Sequence, residues 1–303
     1  MNIKKLRIIL AASFGGLGLI SSILAFSGAL NDHSYSKEYA DWLSKVDDHT
    51  LLRDVSLPGS HDTMAFYSIG DLAGQCQTLP LKEQLNLGVR FLDIRLKEDK
   101  NDLKVVHGFI DQKATFKDVD KTVTSFLKDH PSEFIIMSIK EEAEASNSEI
   151  SFEEALLKHL DNDIYLKDQT SIPSYIGDIR GKVVILSRYQ NPSIGIPAYD
   201  GWADSTSFTL PNDIYVQDTY KITSKEQKQE EIKKCFAEAG HALKINFLSA
   251  YRTNGFPPSQ AMTAAKDINP WINKEIDKYH DRGIVLYDFI SEANMKAFFK
   301  EVI

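Results

Sequence analysis

Two of the eight histidines, His61 and His107, and an arginine between them, Arg95, are the residues of this sequence best suited to acid–base chemistry. Imidazole has an unperturbed pKa of about 6.5, so near neutral pH one histidine can accept a proton while another donates one. Each role typically contributes about 10²–10⁴ in rate. A guanidinium pairs bidentately with phosphate and can hold charge that develops in a transition state. The three side chains together suit cleavage of a phosphodiester by an internal hydroxyl group.

Short apolar runs rich in β-branched residues recur along the chain and indicate strands. We predict eight of them, at residues 51–57, 89–96, 103–106, 134–139, 182–186, 214–217, 242–248 and 284–287. Helical periodicity predicts helices at residues 116–127, 152–160, 225–239, 271–279 and 293–303. Strands that alternate with helices favour parallel pairing, and eight of them favour a TIM-type (β/α)8 barrel. The predicted fold is α/β, a single barrel that is irregular because residues 191–212 are rich in Pro, Gly and Asp and show no helical pattern.

The carboxyl ends of barrel strands form one mouth, where the active sites of this architecture are built. The ionisable residues at the predicted strand ends are His61 with Asp62, Asp93 with Arg95, His107, Lys140 with Glu142, Arg188, Asp218 with Tyr220, and Asp288. Adjacent side chains of an extended chain point in opposite directions, so Asp62 is poorly placed to orient His61. Asp62 is therefore predicted to serve His107. Asp288, on the last strand beside the first, is predicted to reach His61.

Composition narrows the class of partner. The chain of 303 residues is 43% apolar and 26% charged, which is typical of a globular protein, and its net charge of -8 argues against a nucleic-acid partner. Its two cysteines, Cys76 and Cys235, form neither a zinc motif nor a disulfide framework. Cys235 lies in the apolar stripe of a predicted helix, so we expect a buried free thiol rather than a disulfide.

The first 29 residues read as a secretory signal peptide. Three cations, at positions 4, 5 and 7, precede an uncharged apolar run from residue 8 to residue 30, and Ser27 and Ala29 suit a cleavage site. The apolar run is close to the length that spans a bilayer, so an uncleaved membrane anchor is the alternative. We therefore expect a secreted or surface-bound protein whose catalytic barrel occupies residues 30–303.

An ordered set of motifs resembles the X-domain of bacterial phosphatidylinositol-specific phospholipases C. It begins with the segments Leu57 to Asp62 and Gly88 to Arg95, followed by Val106-His107-Gly108. Further similar segments lie at residues 131–140, 181–188, 216–221, 245–249 and 283–288. The resemblance runs from about Trp42 to the C-terminus and covers nearly the whole chain after the leader.

The resemblance implies a role for each matching position. His61, with Asp288 as its partner, corresponds to the general base that deprotonates the inositol 2-hydroxyl. His107, assisted by Asp62, corresponds to the general acid that protonates the diacylglycerol oxygen, and Arg95 contacts the phosphate. The inositol-binding wall is implied to consist of Lys140, Glu142, Arg188, Asp218 and Tyr220. The implied product is inositol 1,2-cyclic phosphate, and glycosylphosphatidylinositol anchors are an implied second substrate.

The resemblance also bears on metals and membranes. Calcium-dependent relatives place a metal-binding carboxylate cluster where this sequence has Arg95, so no metal and no cofactor are predicted. The alternative for Arg95 is a structural ion pair with Asp93, two residues earlier on the same strand face. The predicted partner is phosphatidylinositol in membranes, met transiently through Phe256 and the region around Ile69, by a monomer.

Two competing functions are kept beside this hypothesis. One is a metal-dependent enzyme similar to glycerophosphodiesterases, which rests on a metal held by Glu and Asp. The other is a non-catalytic surface protein that binds inositol or glycolipid, which should lack one of the two histidines or their carboxylates.

Overall fold

The computed structural model describes residues 37–69, 74–160, 163–254, 261–300 and 302. The predicted leader and Phe256 lie outside these residues, so export and the contact through Phe256 stay predictions. Within the described ranges no helix is both long and apolar enough to cross a membrane.

Short strands and helices alternate through the described part of the chain. The strands are β1 (Leu57–Ser60), β2 (Phe91–Asp99), β3 (Asp102–His107), β4 (Ile110–Thr115), β5 (Ile135–Ser146), β6 (Tyr165–Leu166), β7 (Val183–Arg188), β8 (Ile196–Pro197), β9 (Ser207–Leu210), β10 (Ile214–Gln217), β11 (Lys221–Ile222), β12 (Leu243–Phe247), β13 (Tyr251–Arg252) and β14 (Ile284–Tyr287). The α-helices are α1 (Leu81–Asn86), α2 (Phe116–Asp129), α3 (Phe152–Leu157), α4 (Lys225–Ala237), α5 (Ala261–Glu275) and α6 (Glu292–Phe299). Short 3-10 helices lie at Trp42–Lys45, Leu52–Asp54, Ile176–Ile179, Pro211–Asp213 and Ile276–Lys278.

The main sheet is a mixed, partly open barrel built round seven parallel strands. Their order is β7-β5-β2-β1-β14-β12-β10, with β9 antiparallel at the β10 edge and β6 and β8 parallel beside β7. Among the described residues no ladder joins β6 or β8 to β9. The first and last parallel strands, β1 and β14, are paired directly, as the prediction for Asp288 requires. The fold is thus the predicted irregular α/β barrel.

One of the eight predicted strands pairs antiparallel with its neighbours, whereas parallel pairing was expected. The run at residues 103–106 lies in β3, which pairs antiparallel with β2 and with β4. Lys100 and Asn101, which join β2 to β3, both have positive φ, at 55° and 63°. A two-residue loop of this kind returns the chain antiparallel to itself, whereas parallel strands need a much longer crossover. His107 therefore reaches the mouth of the barrel on a hairpin rather than on a barrel strand.

The first strand also begins later than predicted. Leu52–Asp54 is a 3-10 helix, and β1 starts only at Leu57. A side chain at Gly59 would have its Cβ 3.0 Å from Leu286 on one neighbouring strand and 3.0 Å from Phe91 on the other. Glycine at this position lets β2 and β14 pack closely against β1, and the strand then ends directly before His61.

The cysteine prediction is confirmed. Cys76 and Cys235 are both free and both buried. Cys235 lies on the buried side of α4, together with Ile232 and Phe236.

A buried ion pair holds the amino-terminal end of the barrel together. Arg90 precedes β2, Glu133 precedes β5, and Arg90 Nη2 lies 2.6 Å from Glu133 Oε2, with both side chains fully buried. The same guanidinium donates hydrogen bonds to the carbonyl oxygens of Ala40, Leu85 and Val89. These contacts offset the cost of burying the guanidinium. Removal of one partner of the ion pair would leave the other charge buried and uncompensated, which is strongly destabilising.

Replacement of Glu133 by alanine should leave the Arg90 guanidinium buried without a counter-charge. We expect Glu133→Ala to lower the free energy of unfolding by about 3–5 kcal/mol, measured by urea denaturation followed by circular dichroism. The matched control is Glu275→Ala, which removes the partner of Lys278 in an exposed pair and should change stability by no more than experimental error. Equal, small losses in the two variants would contradict the structural role of the buried pair.

Candidate active site

A cavity of about 750 Å³ opens where the parallel strands end. Of the ten predicted site residues, the nine that line it are His61, Arg95, His107, Lys140, Glu142, Arg188, Asp218, Tyr220 and Asp288. The tenth, Asp62, is buried, with Oδ2 3.4 Å from His107 Nδ1. The structure therefore brings the complete predicted set together.

His61 is held from both sides of its ring. Its Nδ1 lies 2.7 Å from Asp288 Oδ1, and its Nε2 lies 2.9 Å from Arg95 Nη2. An ionised carboxylate only accepts hydrogen bonds and a guanidinium only donates them. These partners therefore assign the proton of the neutral ring to Nδ1 and leave a lone pair on Nε2. Burial alone would lower the pKa of His61, and Arg95 lowers it further, but the carboxylate of Asp288, with help from Asp62, raises the pKa above its ordinary value.

A side chain that the sequence analysis did not identify fixes the backbone beneath this pair. Gln77 is fully buried, and its Nε2 donates to the carbonyl oxygens of His61 and Tyr287 over 2.8 and 2.9 Å. Its Oε1 accepts from the backbone N–H of Ile290. Gln77 thus ties the end of β1 to the end of β14, which are the two segments that carry His61 and Asp288. A glutamine in an irregular loop gives no periodic signal from which this role can be read.

Asp62 points away from His61 because of its backbone conformation. It adopts a left-handed φ of 45°, which aspartate tolerates better than most residues, and its N–H donates to Asp93 Oδ2 over 3.1 Å. The turn directs its carboxylate towards His107. The closest acceptor for His107 Nδ1 is nevertheless the carbonyl oxygen of Gly74, at 2.8 Å, so Asp62 supplies charge beside the ring rather than its shortest hydrogen bond. Burial raises the pKa of Asp62, although Arg95 opposes the shift.

Arg95 lies at the centre of the carboxylates. Its Nε and Nη2 donate to Asp93 Oδ2 over 3.1 and 3.0 Å, and its Nη1 lies 3.5 Å from Asp62 and 3.7 Å from Glu142. Burial alone would lower the pKa of Arg95, but these carboxylates raise it well above its usual value. The ion pair with Asp93 that was the alternative for Arg95 is present, and it leaves the guanidinium free to reach His61 as well. Arg95 thus places a positive charge at the point where three carboxylates meet.

Arginine and lysine side chains form a row across three neighbouring strands. The register pairs Arg95 of β2 with Lys140 of β5, and Lys140 with Arg188 of β7. Carboxylates partly neutralise the positive charges of this row. Lys140 Nζ lies 2.6 Å from Glu142, and Arg188 Nη1 lies 3.2 Å from Asp93. Burial by itself would raise the pKa of Glu142, but Arg95 and Lys140 lower it to about 2. The floor of the cavity is therefore charged throughout and suited to an anionic, hydrogen-bonding ligand.

The opposite wall comes from the loop between β8 and β9. The Trp202 ring covers the Arg188 guanidinium, with 3.4 Å between Arg188 Cζ and the ring centroid, and its Nε1 donates to Asp218 Oδ2 over 3.1 Å. Tyr220 donates a hydrogen bond to Asp204, and burial, followed by this carboxylate, raises the pKa of Tyr220 to about 12. Asp204 was missed by sequence reasoning because its loop carries many polar residues and no periodicity. Trp202 and Tyr220 give the cavity two aromatic faces among charged groups.

Comparison with known proteins agrees with this site. Residues 55–189, which carry both histidines and Arg95, match the family model for the phosphatidylinositol-specific phospholipase C X domain. The 1-phosphatidylinositol phosphodiesterase of Listeria monocytogenes is 30% identical over 274 residues, which cover 86% of this chain and 84% of that protein. The chain belongs to the phosphatidylinositol-specific phospholipase C family.

Solved structures of family members share the fold. The phosphatidylinositol-specific phospholipase C of Listeria monocytogenes superimposes with a TM-score of 0.70 and 27% identity, covering 86% of this chain and 98% of its own. A structure of the Staphylococcus aureus phosphatidylinositol-specific phospholipase C, from work on its membrane binding, superimposes with a TM-score of 0.74 and 24% identity, covering 87% and 98%. The irregular barrel is therefore shared with other phosphatidylinositol-specific phospholipases C.

The charge beside His61 has a measurable consequence. Asp288→Asn keeps the shape of the side chain but removes the carboxylate that raises the pKa of His61, so this pKa should fall, measured by proton NMR of the imidazole C–H resonances against pH. The matched control is Asp213→Asn, which alters an equivalent contact of 2.7 Å with His241 on the surface and should leave the His61 titration unchanged. An unchanged His61 pKa in Asp288→Asn would show that the carboxylate does not control it.

Proposed function

We propose that the protein cleaves phosphatidylinositol, by two-histidine acid–base catalysis without a metal, into diacylglycerol and inositol 1,2-cyclic phosphate. The observation that carries this proposal is the arrangement of His61 and His107 in one cavity, each beside its own carboxylate, with Arg95 between them. The names of the curated relatives support the same reaction class.

The base step uses the lone pair on His61 Nε2. Arg95 Nη2 lies 2.9 Å from this Nε2. A substrate phosphate would compete for the guanidinium, since Arg pairs bidentately with phosphate. Nε2 would then accept the proton of the inositol 2-hydroxyl while its oxygen attacks phosphorus. Asp288 would hold the imidazolium that forms, because its carboxylate already accepts the Nδ1 proton.

The acid step uses the other histidine. Nδ1 of His107 is directed towards Gly74 and Asp62, which leaves the Nε2 edge for the substrate. The protonated ring would give its Nε2 proton to the diacylglycerol oxygen as the phosphorus–oxygen bond breaks. Asp62 stabilises the charged ring before transfer. The proton removed at His61 and the proton supplied at His107 balance, so the first step needs no water.

Recognition of inositol rests on the charged floor and the aromatic wall. The free hydroxyls of the inositol ring can accept hydrogen bonds from Lys140 and Arg188 and donate them to Glu142 and Asp218, and Tyr220 can lie against the apolar face of the ring. Glycosylphosphatidylinositol anchors carry the same reacting group and stay a second predicted substrate.

The two competing functions fit these contacts less well. A metal-dependent phosphodiesterase needs carboxylates converging on a cation, and Arg95 already fills that place between Asp62, Asp93 and Glu142. A non-catalytic inositol-binding protein has no need of two histidines that each lie beside a buried carboxylate. The same experiment separates all three.

Phosphorus NMR of the full chain with detergent-dispersed phosphatidylinositol, in excess chelator, tests the mechanism. We expect a cyclic phosphodiester signal, and a loss of about 10²–10⁴ in rate for His61→Ala and for His107→Ala, because each removes one proton-transfer group. His241→Ala is the matched control, since it removes a surface histidine that is also paired with an aspartate and should keep full activity. Turnover only after addition of calcium would transfer the assignment to a metal enzyme, and binding of inositol phosphate without turnover would indicate a binding protein.

We also propose that the rim beside His107 touches the membrane. Tyr67 and Ile69 are each 51% exposed and Phe109 is 79% exposed, although the sequence analysis did not single out Phe109. Buried Gln112 on β4 ties the segment around Tyr67 to the β3–β4 hairpin. Its side chain accepts a hydrogen bond from the Tyr67 N–H over 2.8 Å and donates one to the Tyr67 carbonyl oxygen. Phe109 lies in the β3–β4 turn, two residues after His107. Apolar side chains held this close to the site would contact a bilayer from which the substrate is drawn.

Serine in place of Ile69 or Phe109 should lower the activity on membrane-bound substrate without changing the chemistry of the active site. We expect each variant to lose roughly tenfold in rate on phosphatidylinositol vesicles, because about 1.4 kcal/mol of lost burial is a factor of ten in affinity. Hydrolysis of water-soluble inositol 1,2-cyclic phosphate should be unchanged. Tyr175→Ser is the matched control: Tyr175 is 43% exposed and pairs with Leu51 at the opposite end of the barrel. Equal losses on both substrates would point to damage of the site instead.

A further inference from the structure

Cys76 is a buried thiol at the bottom of the cavity that the proposed mechanism does not use. The residue is 1% exposed, lines the cavity, and has its Sγ 3.8 Å from His107 Nδ1. Its backbone is fixed on both sides, because its N–H donates to the Ala65 carbonyl and its own carbonyl accepts from the Phe289 N–H. The sulfur therefore has a defined position beside the acid histidine.

Three potential metal ligands meet at this thiol. One atom each from Asp62, Cys76 and His107 lie within 4.8 Å of one another. A tetrahedral zinc ion holds sulfur and nitrogen ligands about 3.6 Å apart and nitrogen and oxygen ligands about 3.4 Å apart, from its usual bond lengths. The observed separations are 3.8 Å for sulfur to nitrogen and 3.4 Å for Asp62 Oδ2 to His107 Nδ1. Two of the three separations thus match such an ion, and the third, between the ligand atoms of Cys76 and Asp62, is at most 4.8 Å. The carbonyl oxygen of Gly74, 2.8 Å from His107 Nδ1, lies beside this group as a further oxygen donor.

The carboxylate in this group has spare bonding capacity. Asp62 is 1% exposed, and its Oδ2 accepts no hydrogen bond from the described residues, although Arg95 Nη1 lies 3.5 Å away. A buried acceptor without a hydrogen bond is unfavourable, and a bound cation would satisfy it. This oxygen, rather than the thiol alone, points to a ligand.

The charges facing the thiol favour a cation. Burial, followed by the carboxylates of Asp288 and Asp62, raises the pKa of Cys76 well above its ordinary value, while Arg95 opposes the shift. The thiol therefore keeps its proton until a metal displaces it. Because binding of a metal releases the thiol proton, affinity should fall as pH is lowered. Arg95 should make the site weaker than a structural zinc site.

We propose that Asp62, Cys76 and His107 form an inhibitory site for a thiophilic divalent cation such as Zn²⁺ or Cd²⁺. A thiolate and an imidazole select such ions over Ca²⁺ and Mg²⁺, which prefer oxygen ligands. A bound ion takes the Nδ1 of His107 and its neighbouring carboxylate, so the ring can no longer become an imidazolium, and the Nε2–H that remains is a much weaker acid. The inhibition rests on the proposed function, whereas the binding of the ion does not.

Binding is tested on the chelator-stripped full chain with Cd²⁺, whose bond to a thiolate gives a charge-transfer absorption in the ultraviolet. We expect one equivalent of Cd²⁺ to produce this band and Zn²⁺ to displace it. Loss of an outer-sphere partner alone weakens metal sites by about 10–100-fold, so Cys76→Ser should lose the band and weaken zinc affinity by about 100-fold or more. Cys235→Ser is the control, since Cys235 is the other buried thiol and belongs to no such ligand group among the described residues. A wild type without the band, or a band lost in Cys235→Ser and kept in Cys76→Ser, would overturn the site.

Turnover is measured in the same preparations. We expect Zn²⁺ to inhibit the wild type at least tenfold, excess chelator to restore its rate, and Cys76→Ser to keep its chelator-measured rate when Zn²⁺ is added. Binding of Cd²⁺ without any turnover in chelator would leave the site standing and overturn the proposed function. Turnover that Zn²⁺ leaves unchanged in the wild type, or inhibits equally in Cys76→Ser, would overturn the inhibitory site and leave the proposed function standing.

Discussion

The charge on Arg95 is the constraint on which the site depends. Four groups converge on this guanidinium, namely the carboxylates of Asp62, Asp93 and Glu142 and the Nε2 atom of His61. Three buried carboxylates so close together would repel one another and take up protons without a cation among them. With Arg95 present, the pKa of Asp93 falls far below its ordinary value even though burial works in the opposite direction. The guanidinium thereby favours the ionised forms of Asp93 and Glu142.

Much of the site follows from a simple rule about where strands end. The ionisable residues at the strand ends could be predicted to converge because parallel strands of a barrel share one carboxyl-terminal face. The contact between His61 and Asp288 followed from the adjacency of first and last strands, and it is present at 2.7 Å. The orientation of Asp62 was predicted from strand alternation, yet it arises from a left-handed turn at that residue. The conclusion was right although the local geometry behind it was different.

What the sequence could not provide depends on loops and rotamers. The hairpin that carries His107 follows from two positive φ values at Lys100 and Asn101, and the lysine gives no turn signal. The cover of Trp202 over Arg188 and the role of Gln77 depend on side chains in loops without periodicity. Such contacts join residues far apart in the chain, and a pattern read from neighbouring residues has no access to them.

The pairing of β1 with β14 has a consequence for the timing of folding. His61 is made before its partner Asp288, which lies 227 residues later, directly after the Tyr287 whose carbonyl receives the His61 N–H. Contacts between such distant segments form slowly, because the entropy cost of closing a long loop comes before the contacts contribute any stabilising free energy. A ribosome-bound chain that lacks its final strand therefore has a histidine but no assembled base. The pair of His61 and Asp288, and with it the proposed general base, therefore forms only after β14 has paired with β1.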